Sequence, residues 1–232
     1  MNRVLRKLFN RLLRRRRSVG YYAEDDTDRW LRETFFRDTP AGAMVEVGAA
    51  GPTFLSMSRH FRESGWRVLA IEPNPHFIAM HQAAGSEVLP YACGEQDADG
   101  VDFEVVLQPA AFAGGQVSYE SFSSLKVKDS YRVHNPSIKA QRIKVNVRRL
   151  DTILAQHAPD LERLDLLSID VEGWELEVLN GFSLERYAPR VVVIENFVRD
   201  PDYEAYMRRR AYQLYADRFP NQIYTPVGTQ KE

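Results

Sequence analysis

The chain has 232 residues, of which 44% are hydrophobic and 27% are charged, and these fractions are typical of a globular protein. They exclude a wholly disordered or low-complexity chain, and the sequence contains no apolar run near the ~18 residues that a membrane-spanning helix requires. The single cysteine, Cys93, excludes an internal disulfide and any site of several thiolates, which favours a reducing, cytoplasmic location.

The formal net charge of −1 combines two oppositely charged parts. Residues 1–17 contain eight arginines and lysines and no acid, and their apolar residues fall on one face of a helix (Val4, Leu5, Leu8 and Leu12). We therefore predict that residues 1–40 form a basic amphipathic helical extension and that residues 41–232 form one acidic domain.

This basic segment has several interpretations. Such a helix can lie on the inner face of an anionic membrane, dock on its own body, or join two copies in a homo-oligomer. An Arg-rich segment without acids is also typical of a transit peptide. The acidic body would repel a nucleic-acid backbone, so we expect no nucleic-acid partner.

From residue 30 onward, short apolar runs alternate with helical patterns. The helical patterns cover residues 30–36, 54–64, 75–84 and 174–180. The runs that predict strands cover residues 43–47, 67–71, 87–91, 164–169 and 190–194. This alternation is typical of parallel strands joined by crossover helices, so we expect an open α/β sheet with helices on both faces.

Two more pairs of strands are predicted outside this alternation. Residues 101–106 and 143–147 alternate apolar with polar side chains, which indicates an inserted pair of edge strands. Between them, residues 108–139 are rich in Gly, Ser and Pro, which predicts a long functional loop. Residues 212–216 and 222–225 predict a closing antiparallel hairpin.

The first predicted strand runs into a glycine turn, VEVGAAG, at residues 45–51. Gly48 and Gly51 allow the backbone to bend sharply and to approach a ligand, and Glu46 provides a carboxylate at the end of the strand. About 20 residues later the second strand ends at Glu72, where an acid binds ribose hydroxyls in dinucleotide-type folds. Together these features predict a nucleoside-binding site.

Acidic residues also follow two later strands. The string LSIDVEGWE, residues 167–175, places Asp170 and Glu172 after a buried strand, and Glu195 and Asn196 end the next one. The carboxyl ends of parallel strands form the ligand crevice of an open α/β sheet. We therefore expect these acids to face the same cleft as the two glutamates of the nucleoside-type site.

The domain resembles the FkbM family of S-adenosylmethionine-dependent methyltransferases in the strings VEVGAAG, IEPNP, ACGEQDADGVDF, RLDTIL, IDVEGWELEVLNGF and PRVVVIENF. The resemblance extends from residue 44 to the C-terminus, and the string that begins IDVEG is its most specific part. At the first motif Glu46 replaces the family's usual Asp, Ala50 replaces Asn, and Pro52 follows Gly51.

The resemblance implies a Rossmann-like class I methyltransferase fold, with a mostly parallel seven-stranded sheet and a C-terminal antiparallel hairpin. It also implies O-methylation of a hydroxyl on a sugar, a glycan or a secondary metabolite. From the methionine side through the ribose to the adenine, the implied cofactor residues are Glu46, Gly48, Ala49, Gly51, Glu72, Pro73, Cys93 and Gly94, with Asp170 near the cofactor amine and the acceptor.

A sugar or alkyl hydroxyl is a weak nucleophile near neutral pH and needs a general base or a cation. The candidate catalytic residues are Asp170, Glu172, Glu195 and His134, the last of which lies in the long loop. Oxygen ligands suit Mg²⁺ and similar ions, so we hypothesise that Asp170, Glu195 and Asn196, with Glu172, hold a divalent cation against the acceptor oxygen. The alternative is that these acids hydrogen-bond cofactor or substrate directly.

Several other side chains have both a functional and a structural interpretation. Trp174 is either a platform on which the acceptor stacks or a packing residue. Three serines of the long loop are candidate acceptor contacts (Ser121, Ser123 and Ser124). The histidines on predicted helices are interpreted as surface or packing residues (His60, His76, His81 and His157).

Two other functions agree with parts of the sequence. A nicotinamide-dependent oxidoreductase needs a third glycine in G-x-G-x-x-G, which residues 48–52 do not provide. A non-catalytic, membrane-docked binding member of the family is favoured by the loss of the motif's Asn at Ala50. The acids at the strand ends favour an enzyme instead.

Overall fold

The computed structural model of the chain describes residues 19–106, 109–112, 115–118, 124–125 and 140–230. The helix predicted at residues 1–17, together with His134, Ser121 and Ser123, lies outside the described residues. Among the helices within these ranges, none combines the length and the apolar character that crossing a bilayer demands.

The described residues form strands and helices that alternate through most of the chain. The strands are β1 Ala43–Val47, β2 Arg67–Ile71, β3 Ala92–Cys93, β4 Ala98–Val106, β5 Pro109–Phe112, β6 Gly115–Ser118, β7 Ala140–Arg148, β8 Leu166–Ile169, β9 Val191–Glu195, β10 Tyr212–Arg218 and β11 Asn221–Pro226. The α-helices are α1 Thr27–Phe35, α2 Arg59–Glu63, α3 Pro75–Ala83, α4 Leu150–His157, α5 Glu175–Asn180, α6 Leu184–Tyr187 and α7 Pro201–Arg209.

Six strands form the main sheet in the order β10-β11-β9-β8-β1-β2. The four strands from β9 to β2 pair in parallel, whereas β11 pairs antiparallel with both β9 and β10. The predicted open α/β sheet and its closing hairpin are therefore confirmed.

The parallel strands are short and apolar because helices bury both of their faces. Every residue of β8 and β9 is buried. On one face they pack against Leu154 of α4 and Leu179 of α5, and on the other against Leu31 of α1 and Phe61 of α2. The prediction of helices on both faces is confirmed.

Within the described residues the main sheet has six strands, so the expected seventh strand is not confirmed. The predicted strand at residues 87–91 makes a single parallel bridge, between Leu89 and Ile71, and no regular pairing beyond it. Leu89 donates to the Ala70 carbonyl and accepts the Glu72 N–H, but the N–H of Tyr91 donates back to the Leu89 carbonyl at 2.9 Å, so the ladder with β2 does not continue.

The helix predicted over residues 54–64 is shorter than expected, because α2 begins only at Arg59. Leu55 has a φ of +53° and bridges Ala23, which precedes α1. A residue in this left-handed conformation cannot continue a right-handed helix. The residues before Arg59 therefore form a loop at the carboxyl end of β1.

The predicted inserted strand pair is confirmed. β4 and β7 pair antiparallel, and β3 lies beside β7 in the same three-stranded sheet. Their inward side chains form an apolar cluster of their own, which includes Phe103 and Val105 of β4. This small sheet lies next to the carboxyl end of β2 and forms one wall of the pocket described below.

The described part of the predicted N-terminal extension packs on the main sheet. Leu31 of α1 and Phe36, which follows it, are buried in one cluster with Met44 of β1 and Leu166 of β8. The packing of α1 is therefore continuous with that of the domain that begins at residue 41.

Candidate functional site

A pocket opens at the carboxyl ends of β1, β2, β3 and β8, the edge at which the sequence predicts a ligand crevice. Both the main sheet and the small sheet contribute to its wall. Its lining residues are Val47, Gly48, Ala50, Glu72, Pro73, Phe77, Tyr91, Ala92, Cys93, Phe103, Ser124, Leu125, Asp170, Val171, Glu172 and Trp174.

The glycine turn after β1 brings two parts of the pocket together: the end of β1 and the loop that follows β8. Gly48 has a φ of +80°, and a Cβ atom built on it would lie 1.7 Å from the backbone oxygen of Asp170. The backbone of the β1 turn therefore lies directly against the loop that follows β8, which only glycine allows. The N–H groups of Gly48 and Ala49 both donate to the Ile71 carbonyl, at 3.0 and 3.1 Å.

Glu72 is held in place by backbone donors. Its Oε2 atom accepts the N–H of Ala50 at 3.0 Å, and its Oε1 atom accepts the N–H of Asn74 at 2.7 Å. Burial raises its pKa to about 7, although these two hydrogen bonds oppose the shift. A buried carboxylate whose two oxygens are both oriented by the backbone is a rigid acceptor at the pocket wall.

Ala50, which replaces the family's usual Asn, has a φ of +42°. Its N–H group donates to Glu72, and its carbonyl accepts a hydrogen bond from His81 Nε2 at 3.0 Å. His81 lies on α3 and is fully buried. The interpretation of His81 as a surface or packing residue missed this contact with the glycine turn, which no local sequence pattern indicates.

Glu46 lies behind the pocket wall rather than in it. It is 4% exposed, and its Oε1 atom accepts the N–H of Ser58 at 3.2 Å. Burial raises its pKa to about 7, and a hydrogen bond from Ser58 and the charge of Arg62 oppose the shift. Ala49 and Gly51 are also outside the described lining, and Gly51 faces Met80 and Phe77 of α3.

At the adenine end of the expected site, Pro73 and Cys93 line the pocket. Burial raises the pKa of the Cys93 thiol, so this cysteine provides apolar surface rather than a reactive thiolate. Gly94 is not among the described lining residues. A Cβ on Gly181 would lie 2.1 Å from the Gly94 carbonyl oxygen, so Gly94 lies at a close backbone contact.

Three of the predicted acids come together at the other end of the pocket. One carboxylate oxygen each of Asp170, Glu172 and Glu195 lie within 4.8 Å of one another, and we call these three residues the acid cluster. Asp170 and Glu172 line the pocket, and Glu195 lies behind them. Among the described residues, Glu195 Oε2 is buried without a hydrogen-bond partner.

Burial first, and then repulsion from neighbouring acids, raise the pKa values of Asp170 and Glu195 in the acid cluster. The pKa of Asp170 is raised to about 7, first because the surrounding protein desolvates it and then because Glu175 is close. Asp170 nevertheless belongs to the exposed residues, because it opens onto the pocket. The pKa of Glu195 is raised by burial and by repulsion from Asp170 and Glu172. Such a group of acids is stabilised by protons or by a bound cation.

Glu175 holds the loop after β8, which carries Asp170 and Glu172 of the acid cluster, and the sequence did not suggest this role. Its Oε1 atom accepts the N–H groups of Val171 and Gly173, both at 3.0 Å, and its Oε2 atom accepts the Tyr203 hydroxyl. Between these anchors Glu172 has a φ of +59°. Glu175 therefore fixes the loop in which Glu172 turns toward the cluster.

Asn196 does not join the acid cluster. Its Nδ2 donates to the Asp200 carbonyl at 2.9 Å and to Gln222 Oε1 at 3.0 Å, and its Oδ1 accepts the N–H of Asp200 at 2.8 Å. Asn196 follows the end of β9, and these hydrogen bonds occupy both its amide nitrogen and its amide oxygen. Asn196 instead joins α7 to the hairpin.

A segment before α1, residues 20–26, crosses this edge of the sheet, and we call it the strap. Ala23 bridges Leu55 after β1, and the Asp25 carbonyl accepts a hydrogen bond from Arg218 of the hairpin at 3.0 Å. Since β8 and β9 lie between these two contacts, the strap passes over the acid cluster. Glu24 contributes to raising the pKa of Asp170.

The remaining candidates are divided between the pocket and the part of the chain that is not described. Trp174 and Ser124 line the pocket, and the Ser124 backbone pairs with Glu104 of β4. Ser121, Ser123 and His134 lie outside the described residues.

The sequence matches the family described as the methyltransferase FkbM domain over residues 43–214. It is 37% identical over 89 residues to methyltransferase sdnD of Sordaria araneosa, covering 34% of each chain. It is 28% identical over 151 residues to methyltransferase 1 of Beauveria bassiana, covering 60% of this chain and 57% of that protein.

A crystal structure of methyltransferase FkbM from Methylobacillus flagellatus aligns with a TM-score of 0.49 and 16% identity, over 96% of this chain and 59% of the other. These alignments therefore span about a third to three fifths of the length of the matched proteins.

Proposed function

Because the chain belongs to the methyltransferase FkbM domain family, we propose that it is an S-adenosylmethionine-dependent methyltransferase acting on a hydroxyl of a sugar, a glycan or a secondary metabolite. The observation that carries this proposal is the Glu72 carboxylate, held at the pocket wall by the N–H groups of Ala50 and Asn74. A carboxylate oriented in this way can accept hydrogen bonds from the two hydroxyls of a ribose.

The other lining residues suit the rest of such a nucleoside. Phe77, Tyr91 and Cys93 offer apolar surface next to Glu72, where a purine would be shielded from water. Gly48 keeps the β1 turn close to the Asp170 loop, and Asp170 supplies a carboxylate at the end away from the apolar wall. When bound, S-adenosylmethionine supplies an electrophilic methyl group to the acceptor oxygen.

The acceptor hydroxyl must lose its proton during the transfer, and Asp170 is the group that we propose to receive it. A carboxylate with a pKa of about 7 has a higher proton affinity than an ordinary aspartate and still ionises near neutral pH. Trp174 lines the same pocket, and its ring would hold one face of a sugar or of a flat acceptor next to this carboxylate.

The test of the cofactor uses S-adenosylhomocysteine as the probe in isothermal titration calorimetry with the full chain. We expect one binding site, at least a tenfold loss of affinity in Glu72→Ala, and no change in the matched control Glu87→Ala, whose side chain is exposed. Absence of binding at millimolar probe would favour the non-catalytic alternative, and binding of NADH instead would favour the oxidoreductase.

As the alternative to Asp170 acting as the base, we propose that the acid cluster holds a divalent cation that assists this reaction. Asp170, Glu172 and Glu195 offer oxygen ligands close enough to share one ion, and the described structure gives the buried Glu195 Oε2 no other partner. Mg²⁺ and Mn²⁺ prefer such ligands. When bound, the ion would lower the pKa of an acceptor hydroxyl. Asn196 is left out of this ligand set because its amide binds Asp200 and Gln222.

The cation is tested with Mn²⁺ as the probe, by electron paramagnetic resonance of the free ion. We expect one Mn²⁺ per chain, loss of binding in Asp170→Asn and Glu195→Gln, and unchanged binding in Glu33→Gln, which alters an exposed acid on α1. Unchanged Mn²⁺ binding in folded Asp170→Asn would contradict the proposal. So would methylation of a matched acceptor that is unaffected by thorough EDTA treatment.

For residues 1–17 we propose a peripheral contact with the inner face of an anionic membrane, which would place the enzyme in the cytoplasm near lipid-linked or surface-glycan acceptors. The support is the composition of this segment, with basic residues opposite an apolar face. Sedimentation with vesicles containing roughly a third anionic lipid should decrease when residues 1–17 are deleted. Equal sedimentation of both proteins would contradict the contact.

A further inference from the structure

His81 is a buried titratable group that the proposed reaction does not use. It lies on α3 and has no exposed surface. Its Nε2 atom is 3.0 Å from the Ala50 carbonyl oxygen, and its Nδ1 atom is 2.8 Å from the Ser86 hydroxyl. It therefore connects α3 to the glycine turn of the pocket.

The partners of His81 determine its tautomer. A carbonyl oxygen only accepts, so Nε2 carries the hydrogen and donates it to Ala50. Nδ1 is then the acceptor, and the Ser86 hydroxyl donates to it rather than to the His81 carbonyl at 3.4 Å. Burial lowers the pKa of His81, which favours this neutral form.

Ala50 is held at both of its backbone polar groups. Its carbonyl accepts from His81, and its N–H donates to Glu72 Oε2 at 3.0 Å. Its φ of +42° lies in the left-handed region, which is unfavourable for alanine because its Cβ crowds the following carbonyl oxygen. A strained residue keeps its conformation only where its surroundings hold it there.

We propose that His81 is a positioning residue of the cofactor site: it holds Ala50 in the left-handed conformation, and Ala50 thereby orients the Glu72 carboxylate toward the pocket. This inference rests on the proposed binding of S-adenosylmethionine. It assigns a role to Ser86 as well, because the Ser86 hydroxyl donates to Nδ1 and so stabilises the tautomer in which His81 donates to Ala50.

The test compares four variants of the full chain. His81→Leu removes both hydrogen bonds, His81→Gln keeps an N–H donor near the position of Nε2, and Ser86→Ala removes the hydroxyl. His76→Leu is the matched control, since His76 is exposed on the same helix. Thermal unfolding and circular dichroism establish that each variant is folded.

We expect the affinity for S-adenosylhomocysteine to decrease about tenfold in His81→Leu, about threefold in Ser86→Ala, and less than twofold in His81→Gln and His76→Leu. Amide hydrogen exchange at Ala50, measured without ligand, should accelerate in His81→Leu and recover in His81→Gln. A merely structural histidine would not show this rescue at Ala50.

Wild-type affinity in folded His81→Leu, or equal losses in His81→Leu and His81→Gln, would overturn the positioning role while leaving the cofactor in place. Should His81→Leu not fold, the positioning role still requires Ser86→Ala to lose about threefold in affinity while His81→Gln loses less than twofold. Equal affinities in these two variants would overturn it. Failure of the wild type to bind the probe would instead remove the proposed function, and the positioning role with it.

Discussion

The two ends of the pocket hold their carboxylates in opposite ways. At one end both oxygens of Glu72 accept backbone N–H groups, from Ala50 and Asn74. At the other end the acid cluster brings three carboxylates within 4.8 Å of one another, and Glu195 Oε2 is buried there without a hydrogen-bond partner in the described structure.

This difference indicates what each end is built to bind. A carboxylate whose geometry is fixed by backbone donors is already oriented for a neutral ligand such as a diol, and it needs no other charge. Carboxylates that repel one another stabilise a ligand that brings positive charge or protons. The pocket therefore combines a preorganised end with an end whose charge is balanced only when a ligand is present.

Gly48 joins these two ends, so Gly48→Ala should have the largest effect. The new Cβ would lie 1.7 Å from the Asp170 carbonyl oxygen, and Ala at a φ of +80° is strained as well. We expect a loss of about 3 kcal/mol or more in the free energy of unfolding, measured in urea, together with loss of S-adenosylhomocysteine binding.

The matched control for this variant is Gly85→Ala. Gly85 also has a positive φ, +66°, but a Cβ there would meet nothing within 4 Å. Strain alone should lower stability by about 1 kcal/mol. Equal losses in the two variants would contradict a tight contact between the β1 turn and the Asp170 loop.

Glu46 and Glu72 are both buried acids, but among the described residues only Glu72 has a hydrogen-bond donor on each carboxylate oxygen. Comparing the two separates the cost of burying a carboxylate with few hydrogen bonds from that of burying one with both oxygens bonded. Burial raises the pKa of Glu46 from its ordinary value of 4.5 to about 7, so ionisation opposes folding increasingly as the pH rises from 4.5 to 7. Glu46→Gln should therefore raise the free energy of unfolding by up to about 3 kcal/mol at pH 8 and by little at pH 4.5.

Glu72→Gln is the comparison for this prediction, because the pKa of Glu72 is raised to the same value. Its gain at pH 8 should be smaller, since one of the two N–H groups that Glu72 accepts would lose its acceptor, at a cost of about 1–3 kcal/mol. Urea unfolding at the two pH values measures both variants. A Glu46→Gln gain that does not depend on pH would contradict the assigned ionisation.

Much of the scaffold could be predicted from the sequence because its signals are local. The apolar strands β1, β8 and β9 and the acids that follow them are contiguous in the chain. Their convergence on one edge follows from parallel pairing.

The parts that could not be predicted depend on contacts between distant residues. No local pattern indicates that the ring of His81 reaches the Ala50 carbonyl, or that Leu55 takes a left-handed conformation beside Ala23. The sequence also predicts a strand at residues 87–91, but its pairing with β2 is limited to Leu89, because the N–H of Tyr91 donates back to the Leu89 carbonyl.

The smallest predicted effect concerns Ala50, at the preorganised end. Ala50→Gly removes the strain of a φ of +42° but makes the unfolded chain more flexible, so we expect a net gain of about 0.5–1 kcal/mol in urea. Affinity for S-adenosylhomocysteine should change less than twofold, because both backbone hydrogen bonds of residue 50 are retained. Ala49→Gly, at a neighbouring residue without a positive φ, should instead lose stability. If Ala50→Gly lost stability too, the strain at residue 50, and the need for His81 to hold it, would be contradicted.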